Sequence, residues 1–307
     1  MHDPFYLEVL MTQLEIEAFL YITKYGSISA AADKLYVTQS ALSRRIHSLE
    51  MQLGYTLFSR GKGIRGIELT QEGRAFIPLA QQWIHLYQEA VSLTDFKENP
   101  ILNVGSVLSV STYLLPNALR NFLKHPQGFH LCFHNYHSVD AYAQVESGMI
   151  DVALVSDEMY SRTVTTAPAF QEPFVYVCGK DGQPADVMTP ELLPPKKEIR
   201  LPWNPGYDIW HDHHFKPSVY PKVNLDQMSL LEDFLTEDNW AIVPLSVSAR
   251  IRRKDVQIRS LENGPDDMMI YHLTLPSLTG VKKEMVEIFL ELLDQELKYV
   301  SGIRSFL

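Results

Sequence analysis

One amphipathic segment near the N-terminus carries the side-chain types that read DNA bases. Five polar residues share one face of a helix with 3.6 residues per turn: Gln39, Ser40, Ser43, Arg44 and His47. Arginine can form two hydrogen bonds with guanine, glutamine can form two with adenine, and serine can bond to a base or a phosphate. The face fits a DNA-reading helix, although an ordinary amphipathic helix with a solvated polar face would show the same periodicity.

The elements around this segment would place it as the last helix of a helix-turn-helix. Its opposite face is an apolar stripe at i, i+4, i+7 and i+11, formed by Leu42, Ile46, Leu49 and Leu53. Two shorter helices are predicted before it, at residues 14–25 and 29–36, and Val37 forms the turn. Thr38 is the expected N-cap. In this motif the N-terminal part of the last helix meets base edges, so we add Thr38 and Arg45 to the predicted DNA contacts.

A glycine-rich basic tip follows, between short apolar segments at residues 55–60 and 67–70. This pattern predicts a β-hairpin wing. Its cations, Arg60, Lys62 and Arg65, are placed to contact phosphates or the minor groove. The tip also spells the dinucleotide fingerprint G-x-G-x-x-G, but Ile-Glu-Leu-Thr follows where that motif requires a helix. A nucleotide-binding loop is therefore rejected.

The distribution of charge removes an objection to DNA binding. The chain of 307 residues has a formal net charge of −10, which by itself disfavours a nucleic-acid partner. Residues 1–74, however, carry eight basic and eight acidic side chains, so the whole acidic excess lies in the remainder. A locally basic stretch at one end is what phosphate neutralisation needs.

Residues 14–73 resemble the DNA-binding domain of LysR-type transcriptional regulators. The matching residues occur in the same order: Glu17-Ala18-Phe19, Gly26-Ser27-Ile28, Ala31-Ala32, Leu35, Val37 to Arg44, Ile46, Leu49-Glu50, Leu53-Gly54, Leu57-Phe58, Arg60 and Leu69 to Gly73. The resemblance implies a winged helix-turn-helix whose third helix enters the major groove of double-stranded operator DNA. Residues 1–10 have no counterpart in the pattern and are interpreted as an extension of the first helix or as residues ahead of a start at Met11.

A longer helix is predicted from Gln71 to about residue 95. Apolar residues recur in steps of three and four along it: Phe76, Leu79, Trp83, Leu86, Ala90 and Leu93. This spacing fits a dimerisation seam, and it also fits a helix packed on its own domain. The family resemblance implies the dimer, and family behaviour suggests a tetramer built from two dimers. A dimer would read a site with two-fold symmetry.

Beyond Pro100, apolar strands alternate with helices, which predicts an α/β arrangement with mainly parallel sheets. The predicted strands are residues 101–105, 129–133, 151–155, 174–178, 240–243 and 269–273, and the predicted helices are 113–123, 139–147, 227–235 and 281–299. In such sheets a ligand binds at the carboxyl ends of strands, near helix N-termini. Ser106, Ser109 and Ser138 lie at such positions, where hydroxyls and free amides suit an anion or carboxylate, although each serine could simply cap a helix.

The same region resembles the effector-binding domain of the family, which has two Rossmann-like lobes like a type 2 periplasmic binding protein. The match rests on Leu102 to Gly105, Leu114-Leu115-Pro116, Gly148 to Asp151, Ala153 to Val155, Glu172-Pro173-Phe174 and Ile242-Val243-Pro244. It implies that Ser109 and Ser138 lie in the ligand cleft, faced by the segment with Trp203, Asn204 and Asp208. The expected domains are residues 1–70 for DNA, 71–96 for the linker helix and 97–307 for the effector. Lobe one takes about 97–160 with 270–307, and lobe two about 161–269.

Other chemistry finds little support in the sequence. Two histidine groups could in principle bind metal: His211, His213 and His214 with Asp208 and Asp212, and His125, His130, His134 and His137. No cysteine pair supports either group as a closed zinc site, so packed or solvated histidines are expected. Cys132 and Cys178 lie in predicted strands, where buried thiols are expected. We expect no catalytic residue, cofactor or resident metal, since hydrolase and nucleotidase motifs are missing.

These features together predict a cytoplasmic, nucleoid-associated regulator rather than an enzyme. No secretory signal or membrane span is expected, because the N-terminus lacks the pattern of a leader and no apolar run reaches about 18 residues. Operator DNA, a small effector and further copies of the chain are the expected partners, with RNA polymerase as a further candidate and no membrane partner. The competing hypothesis is a solute-binding protein or a small-molecule enzyme whose N-terminal helices only mediate assembly.

Overall fold

A computed structural model describes residues 11–59, 67–91, 100–182, 187–216 and 218–307. The chain divides into two compact units, one of residues 1–97 with 146–149 and the other of 98–145 with 150–307. Among the described residues, no helix has both the length and the apolar character needed to cross a membrane.

The N-terminal unit is a helix-turn-helix with a hairpin and a long helix. Its elements are α1 (Gln13–Tyr25), α2 (Ile28–Lys34), α3 (Gln39–Leu53), β1 (Phe58–Ser59), β2 (Glu68–Leu69) and α4 (Gln71–Val91). The apolar stripe of α3 packs against α1 and α2 in one core with Ile16, Phe19 and Ala31. α1 and α3 each end at a glycine with positive φ, Gly26 at 70° and Gly54 at 77°, a conformation that disfavours other residues.

The local predictions for this unit hold. The Thr38 hydroxyl oxygen accepts from the Ala41 amide at 3.2 Å, which confirms the N-cap of α3. β1 and β2 pair antiparallel as the predicted hairpin, with Phe58 opposite Leu69. The tip of the hairpin, residues 60–66, lies outside the described residues, as do residues 1–10.

The apolar seam of α4 divides into a packed part and an exposed part. Phe76 is buried in the helix-turn-helix core, with its ring centroid 5.1 Å from that of Phe19. Leu79 and Leu86 are 57% and 56% exposed. Packing on its own domain is therefore confirmed for Phe76, and a dimerisation role for the exposed residues stays a prediction. Leu93 lies outside the described part of the chain.

The C-terminal unit contains two lobes, each built around a sheet. The strands of the first sheet are β3 (Ile101–Ser106), β4 (His130–Asn135), β5 (Val152–Val155), β6 (Thr165–Glu172), β13 (Met268–Thr274) and β14 (Arg304–Ser305). Their order in the sheet is β14-β6-β13-β5-β3-β4. Its helices are α5 (Leu108–Tyr113), α6 (Leu115–Phe122), α7 (Ser138–Glu146) and α11 (Gly280–Leu297).

The strands of the second lobe are β7 (Phe174–Cys178), β8 (Val187–Met188), β9 (Ile199–Arg200), β10 (Val223–Asn224), β11 (Trp240–Pro244) and β12 (Gln257–Leu261). They form a four-stranded sheet of order β11-β7-β12-β8 and a two-stranded sheet of β9 and β10. The helices are α8 (Pro205–His214), α9 (Leu231–Phe234) and α10 (Leu245–Ser248). Trp240, Tyr176 and Tyr207 are the largest fully buried side chains of this lobe.

Three predictions for this unit are wrong. The sheets are mixed rather than mainly parallel, because β13 runs antiparallel to both β5 and β6, and β7 runs antiparallel to β11 and β12. Residues 165–172, which were assigned to lobe two, form β6 of the first sheet. The chain first passes into lobe two after this strand, at Pro173. Cys132 is exposed rather than buried, because β4 is the edge strand and its alternate side chains face outward, whereas Cys178 is buried as expected.

Candidate nucleic-acid interface and ligand cavity

The polar face of α3 is free of the core that holds the helix. Thr38, Gln39, Ser40, Arg44 and His47 are exposed, and Ser43 and Arg45 are partly exposed. The same helix buries Leu42 and Leu49 completely. Burial of one stripe fixes the helix axis, so the opposite face is presented on a rigid element.

Hydrogen bonds order the start of this face. The Gln39 side-chain amide donates to the Ser29 hydroxyl at 3.0 Å, which ties α3 to α2. The Thr38 and Ser40 hydroxyls lie 3.1 Å apart. Arg44 Nε donates to the Ser40 carbonyl at 3.4 Å. These contacts use Nε of Arg44 and leave its two terminal nitrogens for a guanine or a phosphate.

The sequence analysis missed an exposed aromatic at the turn. Tyr36 is 96% exposed and has φ of 54°, the left-handed region that non-glycine residues rarely adopt. It lies directly before Val37, at the edge of the polar face. A positive φ cannot be read from the residue type, although an exposed tyrosine between two motif helices could have been noted. Arg60, Lys62 and Arg65 lie outside the described residues.

The C-terminal unit contains a cavity of about 590 Å³ between its two lobes. Its wall comes from the carboxyl ends of β3, β4 and β5 and the first turns of α5 and α7 in lobe one, and from the first turn of α8 in lobe two. This is the edge at which parallel strands present loops and helix N-termini. The volume is within the range of cavities that bind small molecules.

Five of the six residues predicted for the ligand cleft line this cavity: Ser109, Ser138, Trp203, Asn204 and Asp208. Ser106 does not. β3 continues through Ser106, so this residue is completely buried inside the sheet and its hydroxyl donates to the Val107 carbonyl at 3.1 Å. Ser109 is only 5% exposed, and its hydroxyl makes no hydrogen bond to any other described residue.

Seven polar or aromatic wall residues were not predicted from the sequence: Asn135, Tyr136, His137, Ser156, Asp157, Asp226 and Gln227. Asp157 accepts hydrogen bonds from the hydroxyls of Ser138 at 2.8 Å and Ser156 at 3.3 Å. Burial, with the Asp140 carboxylate nearby, raises the pKa of Tyr136. The position of Asp157 just beyond β5 was a usable signal, because that strand end faces the same edge as those of β3 and β4.

Side chains behind Asp208 form a charged network in lobe two. Arg200 bridges Asp208 at 3.0 Å and Asp212 at 3.7 Å. His211 is buried and lies 2.8 Å from the Glu198 carboxylate. Within the described residues, no group of three His, Cys, Asp or Glu side chains is placed to hold a metal ion.

Comparison with protein families gives two matches. Residues 14–74 match the bacterial regulatory helix-turn-helix protein model of the lysR family, and residues 97–297 match the LysR substrate binding domain. The second match alone covers more than half of the chain.

Individual relatives are also regulators by name. The HTH-type transcriptional regulator BsdA of Bacillus subtilis is 26% identical over 265 residues, which cover 82% of this chain and 90% of BsdA. A probable RuBisCO transcriptional regulator of Emiliania huxleyi is 33% identical over 143 residues, 45% of this chain and 44% of that protein.

A solved structure supports the fold. Full-length CbnR complexed with its target DNA has a TM-score of 0.63 at 19% identity, with 93% of this chain and 100% of that chain covered. At this identity the likeness concerns the fold.

Proposed function

This chain belongs to the LysR family of DNA-binding transcriptional regulators, and from that premise we propose that α3 reads its operator and that a small molecule in the interlobe cavity controls it. The single observation that supports the first part most strongly is the α3 face, where exposed Gln39, Ser40 and Arg44 stand on a helix whose other face is buried. The cavity and its serine and tryptophan wall support the second part.

Arg44 is the proposed base-reading residue of α3. Two terminal guanidinium nitrogens can bond to O6 and N7 of one guanine, and such a contact is worth about 1–3 kcal/mol of discrimination. Selection of bound sequences from random DNA by the purified protein should first recover a site with two-fold symmetry. Arg44→Ala should then bind the selected site about tenfold or more weakly and lose preference at one position of each half-site.

A matched control separates base reading from general charge. Lys124→Ala removes an exposed cation from the other unit and should leave operator affinity unchanged. Equal losses on operator and random DNA for Arg44→Ala would reduce Arg44 to a phosphate contact. Recovery of no specific site at any salt concentration would instead favour the solute-binding hypothesis.

The wing cations are proposed to hold phosphates. Replacing Lys62 or Arg65 by alanine should weaken binding to all sequences and lower the slope of log affinity against log salt by about one. A change confined to one sequence would contradict this role.

The exposed apolar part of α4 is proposed as the dimer contact. Leu79, Leu86 and Val91 are each more than half exposed on one helix. Burying such side chains against a second copy is favourable by about 1.5–3 kcal/mol each. Leu86→Glu should produce monomers in analytical ultracentrifugation, and it should lose affinity for a two-half-site operator more than for a single half-site.

The remaining assignments follow the same proposal. Residues 1–70 bind DNA, 71–96 link and dimerise, and 97–307 bind the effector, with β6 counted in lobe one. Ligand control requires different affinities for two arrangements of the oligomer. Ser109→Tyr should fill the cavity and abolish effector response while operator affinity remains. The protein is proposed to act on the nucleoid in the cytoplasm, with RNA polymerase as a candidate partner.

A further inference from the structure

The charged side chains that the structure describes on the cavity wall are all acidic. They are the carboxylates of Asp157, Asp208 and Asp226, and no described lining residue is a lysine or an arginine. Arg200 pairs with Asp208 from behind the wall. Neither Asp157 nor Asp226 forms an ion pair with a basic side chain in the described parts of the chain. The wall therefore keeps a net negative charge at neutral pH, with exposed His137 and half-buried Tyr136 as its other titratable groups.

The two longer helices that begin at the cavity already have anionic partners. Asp157 accepts a hydrogen bond from the hydroxyl of Ser138, the first residue of α7, so a carboxylate already lies beside this helix N-terminus. At α8, the Asn204 side chain accepts from the Tyr207 amide at 2.8 Å, and Asp208 lies in the first turn. The sequence predicted an anion or carboxylate at the hydroxyls and amides that follow the first two strands, which include the N-terminus of α7. The chain itself provides the negative groups instead.

Aromatic and hydroxyl groups complete the wall. The Trp203 indole N–H donates to the Ile242 carbonyl at 2.9 Å, so the ring is what Trp203 can offer to a ligand. Tyr136 supplies a second ring. Aromatic faces attract cations, and carboxylates pair with ammonium groups. The buried Ser109 hydroxyl has no partner among the described residues, so it is open to a hydrogen bond from a ligand in the cavity.

We propose that the effector is an organic cation, a small amine whose ammonium group lies between Asp157 and Asp226 and whose carbon skeleton packs on Trp203 and Tyr136. This inference rests on the proposed function, since it names the ligand class of the proposed effector cavity. A carboxylate in the same place would meet the like charges of half-buried Asp157 and exposed Asp226, neither of which has a basic partner among the described residues, and this is unfavourable.

Two matched triplets of probe molecules test which ligand charge the cavity prefers, without knowledge of the natural ligand. One is benzylamine, benzyl alcohol and benzoate, and the other is 1,4-diaminobutane, 1,4-butanediol and succinate. Each is titrated to about 20 mM into the full-length protein, with binding followed by ligand-observed NMR and Trp fluorescence. The amine of at least one triplet should bind at least about tenfold more tightly than its carboxylate.

Variants locate the binding and its cause. Asp157→Asn and Asp226→Asn keep size and hydrogen-bond acceptors, and each should reduce the preference for amine over carboxylate severalfold. Asp266→Asn removes an equal charge from an exposed site that does not line the cavity, and it should change nothing. Ser109→Tyr should abolish binding of the amine.

Failure of this inference can be told from failure of the proposed function. Tighter binding of a carboxylate, lost in Ser109→Tyr, would overturn the amine assignment and keep the cavity as the effector site. Failure of both amines to bind would also overturn the assignment. An amine that binds in the cavity but leaves operator affinity unchanged would support the charge preference and count against effector control.

Discussion

Glu172 lies at the crossing between the two lobes, and its ionisation should change the stability of the fold. It ends β6, is completely buried, and accepts hydrogen bonds from the Ser246 amide at 2.6 Å and the Ser246 hydroxyl at 3.0 Å. The adjacent Pro173 carbonyl accepts from the Leu245 amide at 2.9 Å. Burial raises the pKa of Glu172 from its ordinary value of 4.5 to about 7, although the two bonds from Ser246 act in the opposite direction.

The sign and size of the effect follow from that pKa. Because the folded state binds the proton more tightly than the unfolded chain does, the stabilisation from this carboxyl is complete below the unfolded pKa. It is then lost as the pH rises through about 7. At about 1.4 kcal/mol per unit, a difference of roughly 2.5 units gives about 3 kcal/mol. The free energy of unfolding should therefore fall by up to about 3 kcal/mol between pH 5 and pH 8 because of Glu172.

Glu172→Gln tests this directly, because glutamine is neutral throughout and its carbonyl oxygen can still accept from Ser246. Unfolding by urea, followed by Trp fluorescence, is measured from pH 5 to pH 8 for both proteins. The difference between their free energies of unfolding should change by up to about 3 kcal/mol across this pH range, and the variant should be relatively more stable at high pH.

Two further variants strengthen the test. Exposed Glu262→Gln should reproduce the wild-type curve. Ser246→Ala removes one bond to the ionised form and should move the midpoint to higher pH. Parallel curves for wild type and Glu172→Gln would refute the reasoning, since they would mean that folding does not raise the pKa of Glu172.

Three other substitutions have expected outcomes. Gly73→Ala would place a methyl group in steric conflict with the Leu57 carbonyl oxygen, so it should destabilise the N-terminal unit by about 3 kcal/mol or prevent its folding, as measured by thermal unfolding. Thr38→Ala removes the N-cap of α3 and should cost about 1 kcal/mol of stability, whereas Thr38→Ser should restore most of it. Asp151→Asn weakens the buried ion pair that Asp151 forms with Lys282 of α11 at 2.7 Å, and it should cost about 3 kcal/mol of stability. Lys283→Met, at an exposed position of α11, should cost almost nothing.

The N-terminal unit could be predicted from the sequence almost to the residue. Its first helix was expected at 14–25 and spans Gln13–Tyr25, and the N-cap of α3 was identified correctly. These features depend on neighbours within one or two turns, such as a threonine three residues before an amide or a glycine that can adopt positive φ. Tyr36 was missed because it takes a positive φ directly after the C-cap of α2, a position that a glycine usually marks in the sequence.

The sheets of the C-terminal unit were harder to predict because strand direction depends on distant partners. β13 lies more than 100 residues after β5 yet pairs with it antiparallel, and no local pattern indicates that direction. β12 alternates partly buried and exposed residues in the way of a half-covered strand, and this signal could have been used. β6 has no such alternation and was assigned to the wrong lobe.

The cavity illustrates why residue positions were easier to predict than ligand charge. Ser109, Ser138 and Trp203 were placed correctly because the family pattern fixes their positions along the chain. The preference for an anion came from helix N-termini considered alone. Asp157 and Asp226 reach the same space from separate segments, so their charges enter only when the whole wall is known.

Local charge matters more than total charge both in the DNA-binding segment and in the cavity. A net charge of −10 would exclude DNA if charge acted through its total, yet the acidic excess lies outside residues 1–74. Within the cavity, helix N-termini would select an anion if they were the only charges, yet neighbouring carboxylates reverse the balance. Charges interact strongly only over about 8 Å in physiological salt. Partners are therefore selected by the groups within that distance of the bound atom. In the proposed assignment, the groups that select the effector are the two aspartates without basic partners among the described residues, rather than the helix ends.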